Sequence, residues 1–140
     1  MKGDAYFDTS AWFKRYFKEK GTEKVLALME ESEKVCLCDV GIPELFAILR
    51  RQVRDGLLSE SQYAAVKKAV GQDLKEVSVF PLDAATVNEA IHCLENAVLR
   101  GFDSIHVASA RIHRCGLFVS ADKKQCRAAR KLGLRVMEIG

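Results

Sequence analysis

The stretch LFVSADKKQCRAARKLGLRVMEIG, residues 117–140, carries the fold in miniature. Leu117-Phe118-Val119-Ser120 is a short apolar run and reads as a strand. Asp122 then precedes a helix of small and basic residues that stops at Gly133. Leu134-Arg135-Val136-Met137-Glu138-Ile139 reads as another strand. Outward from this unit the alternation repeats. Ala5-Tyr6-Phe7 is a first strand halted at Asp8, Val35-Cys36-Leu37-Cys38 a second, and Val77-Ser78-Val79-Phe80 a third, halted by Pro81. Helical patterns fill the intervals. Trp12, Phe13, Tyr16 and Phe17 recur at helical spacing with Lys14, Arg15 and Lys18 on the other side, and Val25 to Met29 suggests a second helix. Pro43 fits the first turn of a helix running to about Arg54 and stopping at Asp55-Gly56. Ser59-x-x-Gln62 has capping-box form. Asp83 is placed to cap a helix containing Val87, Ala90, Ile91 and Leu94. Asp103 begins a further helix, with Ile105, Ala108 and Ile112 on one side and Gly116 as its stop. Short apolar strands joined by helices imply a mostly parallel five-stranded sheet covered on both faces, an α/β fold.

The chain has 140 residues, 49% of them hydrophobic and 29% charged, which suits one soluble domain over 1–140. Two prolines and no Ser/Gly-rich stretch leave no linker. No apolar run is long enough to span a bilayer, and Met1-Lys2-Gly3-Asp4 does not open a signal peptide, so a cytoplasmic location is expected. Cys36, Cys38, Cys93, Cys115 and Cys126 match no zinc spacing and read as free thiols. Net charge is only +3, but it is unevenly spread. Residues 111–140 carry Arg111, Arg114, Lys123, Lys124, Arg127, Arg130, Lys131 and Arg135 against Asp122 and Glu138. One basic end suits a polyanionic partner; solvated helix faces are the plainer alternative.

The acids are the informative part. Asp8 ends the first strand, Asp122 lies just past the fourth, Glu44 sits in a first helical turn beyond the second, and Asp103 opens a helix. A parallel sheet sends all these ends to one side, where ligands bind in such folds. Two like charges about 4 Å apart repel by ~4 kcal/mol at an effective dielectric near 20, and a divalent cation removes that cost. All-carboxylate ligation suits Mg²⁺ or Mn²⁺ rather than zinc. Taken singly, Asp103 and Asp122 also read as helix caps, Glu44 as a helix-dipole partner and Asp8 as part of an ordinary turn into a helix.

Four segments resemble the motifs of PIN domains, in the family's order. They are Tyr6-Phe7-Asp8-Thr9-Ser10-Ala11, Pro43-Glu44-Leu45-Phe46 with Leu49, Gly101-Phe102-Asp103-Ser104-Ile105-His106-Val107-Ala108-Ser109-Ala110, and Phe118-Val119-Ser120-Ala121-Asp122-Lys123. Ser120 stands where threonine is commoner, and Val40-Gly41-Ile42 is less typical of the second motif. The resemblance implies a PIN-like three-layer α/β/α sandwich and Mg²⁺- or Mn²⁺-dependent endoribonuclease activity. Small single-domain members of this kind are typically VapC-like toxins of toxin–antitoxin pairs, so an antitoxin and a homodimer are the expected protein partners. It further implies that Asp8, Glu44 and Asp103 hold metal directly while Asp122 holds a second ion or a coordinated water. Ser10 and Ser120 would support the carboxylates, with Thr9 a lesser candidate. Lys123, Lys124, Arg127, Arg130 and Lys131 would contact RNA phosphates, with Lys123, Arg127 and Arg130 in one stripe. Cleavage by an in-line water would leave a 5′-phosphate and a 3′-hydroxyl.

His106 follows Asp103 by three residues and is a structural rather than a catalytic candidate, and His92 and His113 have no evident partners. The Trp12/Phe13/Tyr16/Phe17 cluster reads as core, part of it a candidate antitoxin or dimer surface. Other readings are an RNA-processing nuclease without an antitoxin, an inactive RNA-binding module, and a signalling receiver domain. A receiver would need a phosphoacceptor Asp at the end of the third strand, where this chain has Phe80-Pro81.

Overall fold

The computed structural model describes residues 3–140; the expectation about a signal peptide falls partly on Met1 and Lys2, which lie outside them. The elements run β1 (Asp4–Phe7), α1 (Thr9–Trp12, tightening into a 3₁₀ turn over Phe13–Arg15), α2 (Thr22–Glu31), β2 (Lys34–Cys38), α3 (Gly41–Arg54), α4 (Glu60–Asp73), β3 (Ser78–Phe80), α5 (Ala84–Asn96), α6 (Gly101–Ile112), β4 (Leu117–Ser120), α7 (Lys123–Lys131) and β5 (Val136–Glu138). All strand pairs are parallel, in the order β3-β2-β1-β4-β5. The chain winds outward from β1 to β2 and β3, then returns to lay β4 on the other flank of β1. That reversal opens a crevice beyond the carboxyl ends of β1 and β4.

Alternation along the strands makes the three layers. Ala5, Phe7, Leu37 and Val119 point to one face, where Trp12, Val25, Leu28, Leu45, Leu49 and Val70 of α1–α4 cover them. Tyr6, Cys36, Cys38 and Phe118 point to the other, under Ala90, Cys93, Val107, Ala108 and Ala110 of α5 and α6. The α/β/α sandwich and the parallel five-stranded sheet are as expected. So are the Ser59 capping box, the Asp83 cap and Gly133 past the end of α7 with φ +89°. The five cysteines are free and buried.

Four local expectations need correction. Trp12, Phe13, Tyr16 and Phe17 do not share one regular helix, because α1 tightens after Trp12. Lys14, expected on a solvated side, is 8% exposed: its Nζ donates to Glu19 Oε2 at 2.9 Å and to the Lys20 carbonyl at 2.6 Å. The turn that supplies these acceptors closes at Gly21, whose φ of +95° and contact with Ile139 leave no room for a side chain. The sixth helix begins at Gly101 with Arg100 as N-cap, so Asp103 lies within its first turn and is not the cap. That helix ends before Gly116, with Arg114 taking the left-handed position at φ 53°.

The other departure concerns α5. Its buried residues are Thr86, Ala90 and Cys93, small enough for close packing on α6, while Val87, Ile91 and Leu94 are exposed and Val98 beyond its end is 91% exposed. This apolar stripe has no partner within the described residues. No helix among them is long and apolar enough to cross a membrane.

Asp73 ties the end of α4 to the turn after α1. Arg15 donates to it from Nε at 2.8 Å and from Nη2 at 3.2 Å, and the Tyr16 hydroxyl donates at 2.5 Å. Burial alone would raise the Asp73 pKa, but these hydrogen bonds outweigh it and leave the carboxyl below its usual range. A lowered folded-state pKa adds stability above the unfolded value, and that stability is lost as pH falls. Asp73→Asn is expected to cost on the order of 1.5 kcal/mol at pH 7. The gap in melting temperature from wild type should begin to narrow below about pH 4, near the ordinary Asp pKa, and keep shrinking toward pH 3 as the carboxyl of the folded protein protonates. Thermal unfolding of both proteins from pH 7 to pH 3 measures this.

Candidate active site

The carboxyl edge of the sheet gathers the site. Asp8 follows β1 directly, and its backbone N–H continues the ladder to the Val119 carbonyl at 3.0 Å. Its carboxylate is 2% exposed and accepts from Ser10 Oγ at 2.7 Å, Ser120 Oγ at 2.6 Å and the Ala11 N–H at 3.0 Å. Burial raises its pKa; His106 and the hydrogen bonds only partly offset this. Among the described residues Asp8 has no ion-pair partner. The two serines also brace the turn after β4: Ala121 N–H donates to Ser10 Oγ and Asp122 N–H to Ser120 Oγ, each at 3.0 Å. Ser10 and Ser120, the two supporting candidates, therefore both donate to the Asp8 carboxylate.

Glu44 lies in the first turn of α3, where its negative charge suits the helix N-terminus. Its Oε1 accepts from Thr9 Oγ1 at 2.7 Å and from His106 Nε2 at 2.6 Å. Burial would raise its pKa, but these two partners prevail and lower it. Asp103 is half-buried in the first turn of α6, with Arg100 Nε 3.4 Å away. Burial raises its pKa, the Asp122 charge adds to that, and Arg100 opposes it. Asp122 caps α7: Oδ1 accepts from the Lys124 N–H at 2.9 Å and the Gln125 N–H at 3.1 Å, and Oδ2 stands 3.4 Å from Arg100 Nη2.

All four acids therefore lie at one edge, as expected, but not in one knot. Among the described residues no three His, Cys, Asp or Glu side chains stand close enough to share an ion as placed. The physical reason is that each carboxylate is satisfied locally: Asp8 by hydroxyls, Glu44 by Thr9 and His106, Asp122 by its own helix, Asp103 by Arg100. The donor set, hard oxygens with one buried and uncompensated charge, still matches Mg²⁺ or Mn²⁺ in kind.

Two residues escaped the sequence reading. Arg100, 82% exposed, bridges Asp103 and Asp122; its spacing three residues before Asp103 was the available signal. Gln125 is 2% exposed and donates from Nε2 to the Asp103 carbonyl at 3.3 Å, linking α7 to α6. The basic residues of α7 are all exposed, but they divide. Lys124, Arg127 and Lys131 line a hollow of about 340 Å³ with Ala97 and Val98, whereas Arg130 turns to Glu138 at 3.5 Å. Within the expected Lys123/Arg127/Arg130 stripe, Arg130 is thus the member with an acidic partner.

Residues 5–131 match the family model described as the PIN domain. The chain belongs to the PIN-domain family. Among curated proteins it is similar to ribonuclease VapC49 of Mycobacterium tuberculosis, 29% identical over 133 residues, which is 94% of this chain and 92% of the relative. Its fold is similar to FitAcB from Neisseria gonorrhoeae, with a TM-score of 0.76, 17% identity and 96% of each chain covered. It is likewise similar to a toxin–antitoxin complex from Klebsiella pneumoniae, with a TM-score of 0.68, 14% identity and coverage of 96% and 99%. The three-layer PIN sandwich is therefore shared across nearly the full length.

In this PIN domain Asp103 carries a charge that burial and Asp122 disfavour, and its ion pair with the exposed Arg100 is worth little. Asp103→Asn is expected to raise the melting temperature by a few degrees in EDTA at pH 7. Its carboxylate caps nothing, so no cap is lost. An unchanged or lower melting temperature would return the Arg100 pair to a stabilising role.

Proposed function

We propose that this PIN domain is a metal-dependent endoribonuclease, the toxin of a VapC-like toxin–antitoxin pair acting in the cytoplasm. The observation that carries the reading is Asp8: a buried carboxylate without an ion-pair partner, at the sheet edge where Glu44, Asp103 and Asp122 also end. Such a charge calls for a cation from outside the chain. Asp8, Glu44 and Asp103 would hold Mg²⁺ or Mn²⁺, and Asp122 would serve a second ion or its water. When bound, the ion would supply an activated water and withdraw charge from the scissile phosphate.

The chain's own groups do the rest. Ser10 and Ser120 keep Asp8 oriented. Lys124, Arg127 and Lys131 hold phosphates flanking the cleaved bond through charge, without sequence choice, with Lys123 and Arg130 adding to the field. The curated relative is named a ribonuclease, and the Klebsiella neighbour is an assembly of toxin with antitoxin, which supports an antitoxin partner here. The exposed stripe Val87, Ile91, Leu94 and Val98 on and beyond α5 supports a homodimer.

Two measurements test this. Purified protein on a panel of single-stranded and looped RNAs should cleave with Mg²⁺ or Mn²⁺, lose activity in EDTA, and lose at least a hundredfold as Asp8→Asn; cleavage in EDTA, or an active Asp8→Asn, overturns the reading. Binding without cleavage would favour an RNA-binding module. Separately, sedimentation of the wild type should give a dimer and of Ile91→Lys a monomer. A wild-type monomer at tens of micromolar assigns the stripe to another partner.

A further inference from the structure

The Glu44 carboxylate is held on one side only. Oε1 accepts both the Thr9 hydroxyl at 2.7 Å and His106 Nε2 at 2.6 Å, while Oε2 accepts no hydrogen bond among the described residues. His106 is itself constrained. Its side chain is 4% exposed, and its Nδ1 stands 2.6 Å from the Tyr6 hydroxyl. With Nδ1 against the wholly buried Tyr6 hydroxyl, Nε2 is the ring nitrogen that faces Glu44, and its N–H donates to Oε1. Tyr6 is anchored in turn by stacking on Phe118, with centroids 5.6 Å apart and planes within 4°. Gly41 lets the group close up: a Cβ there would meet Thr9 Oγ1 at 3.3 Å and His106 Cε1 at 3.4 Å.

We propose that His106 is a positioning residue: together with Thr9 it fixes Glu44 through Oε1, leaving Oε2 as the one oxygen Glu44 offers a divalent cation. The proposal rests on the metal-dependent reading above. Hydrogen bonds to a ligating group fix its orientation, and removing them usually weakens metal binding 10–100-fold. The chain runs Phe118, Tyr6, His106, Glu44, so the sheet's core sets the rotamer of a residue at its edge.

The test is Mn²⁺ affinity of the metal-free full chain, read from the resonance signal of free Mn²⁺. His106→Ala is expected to weaken binding about tenfold. Thr9→Val, which keeps shape and removes the hydroxyl, should weaken it in the same direction, and carries the test if His106→Ala does not fold. His106→Gln, whose amide can still donate toward Glu44, should recover part of the loss. In a Glu44→Ala background, His106→Ala should have no further effect. A loss of equal size in both backgrounds, or Thr9→Val and His106→Ala both binding like wild type, overturns the positioning role. A wild type that binds no Mn²⁺ overturns the metal reading itself.

Discussion

A negative charge taken out of water is the constraint around which this molecule is arranged. Asp8 sits at the end of the central strand, and removing a carboxylate from solvent is costly unless donors replace the water. The three donors come from two places in the chain: Ser10 and the Ala11 N–H on α1, and Ser120 at the end of β4. Meeting that demand fixes how α1 leaves β1 and how β4 lies beside it. The same serine hydroxyls then receive the N–H groups of Ala121 and Asp122, which sets the start of α7. The crevice and the basic helix are thus consequences of solvating one charge.

The layered fold was legible because strand burial and helix stops are local properties of the chain. Apolar strands, the Ser59 capping box, the Asp83 cap and Gly133 depend on neighbours a few residues away. The acids were legible as a set because a parallel sheet forces strand ends to one side. What could not be read was how each acid is held. Whether Asp103 caps a helix depends on where α6 starts, and that is decided by the extended backbone of Arg100 and the hydrogen bond from Ser104 Oγ to the Gly101 carbonyl. Lys14 was misplaced because its partners lie on a turn whose path is set by contact with Ile139, at the far end of the chain. The Glu44 partners come from residues 9 and 106, a pairing that no spacing along the sequence announces.

Charge is distributed across the crevice in tiers. Asp8 is deepest and paired with no cation, Glu44 is held by hydrogen bonds from Thr9 and His106, and the outermost pair, Asp103 and Asp122, shares the exposed guanidinium of Arg100. Ion pairs with so exposed a partner are weak and screened by salt. A cation of the kind proposed would therefore meet least competition where the site is most buried and would displace only a surface side chain at its mouth.

Helix α6 is buried on nearly every side from Ser104 to Ala110, packed between the sheet and α5. The small residues Ala108, Ser109 and Ala110 permit that closeness. Asp103 and His106 both ride on this rod, so it acts as a stiff beam whose seating is decided some distance from the chemistry. A single added methyl in a close-packed interior forces neighbours to shift. At Ala110 such a shift would tilt the beam and carry both groups with it. Volume in the core, and not only charge at the crevice, thereby becomes a determinant of how well the acids are aligned.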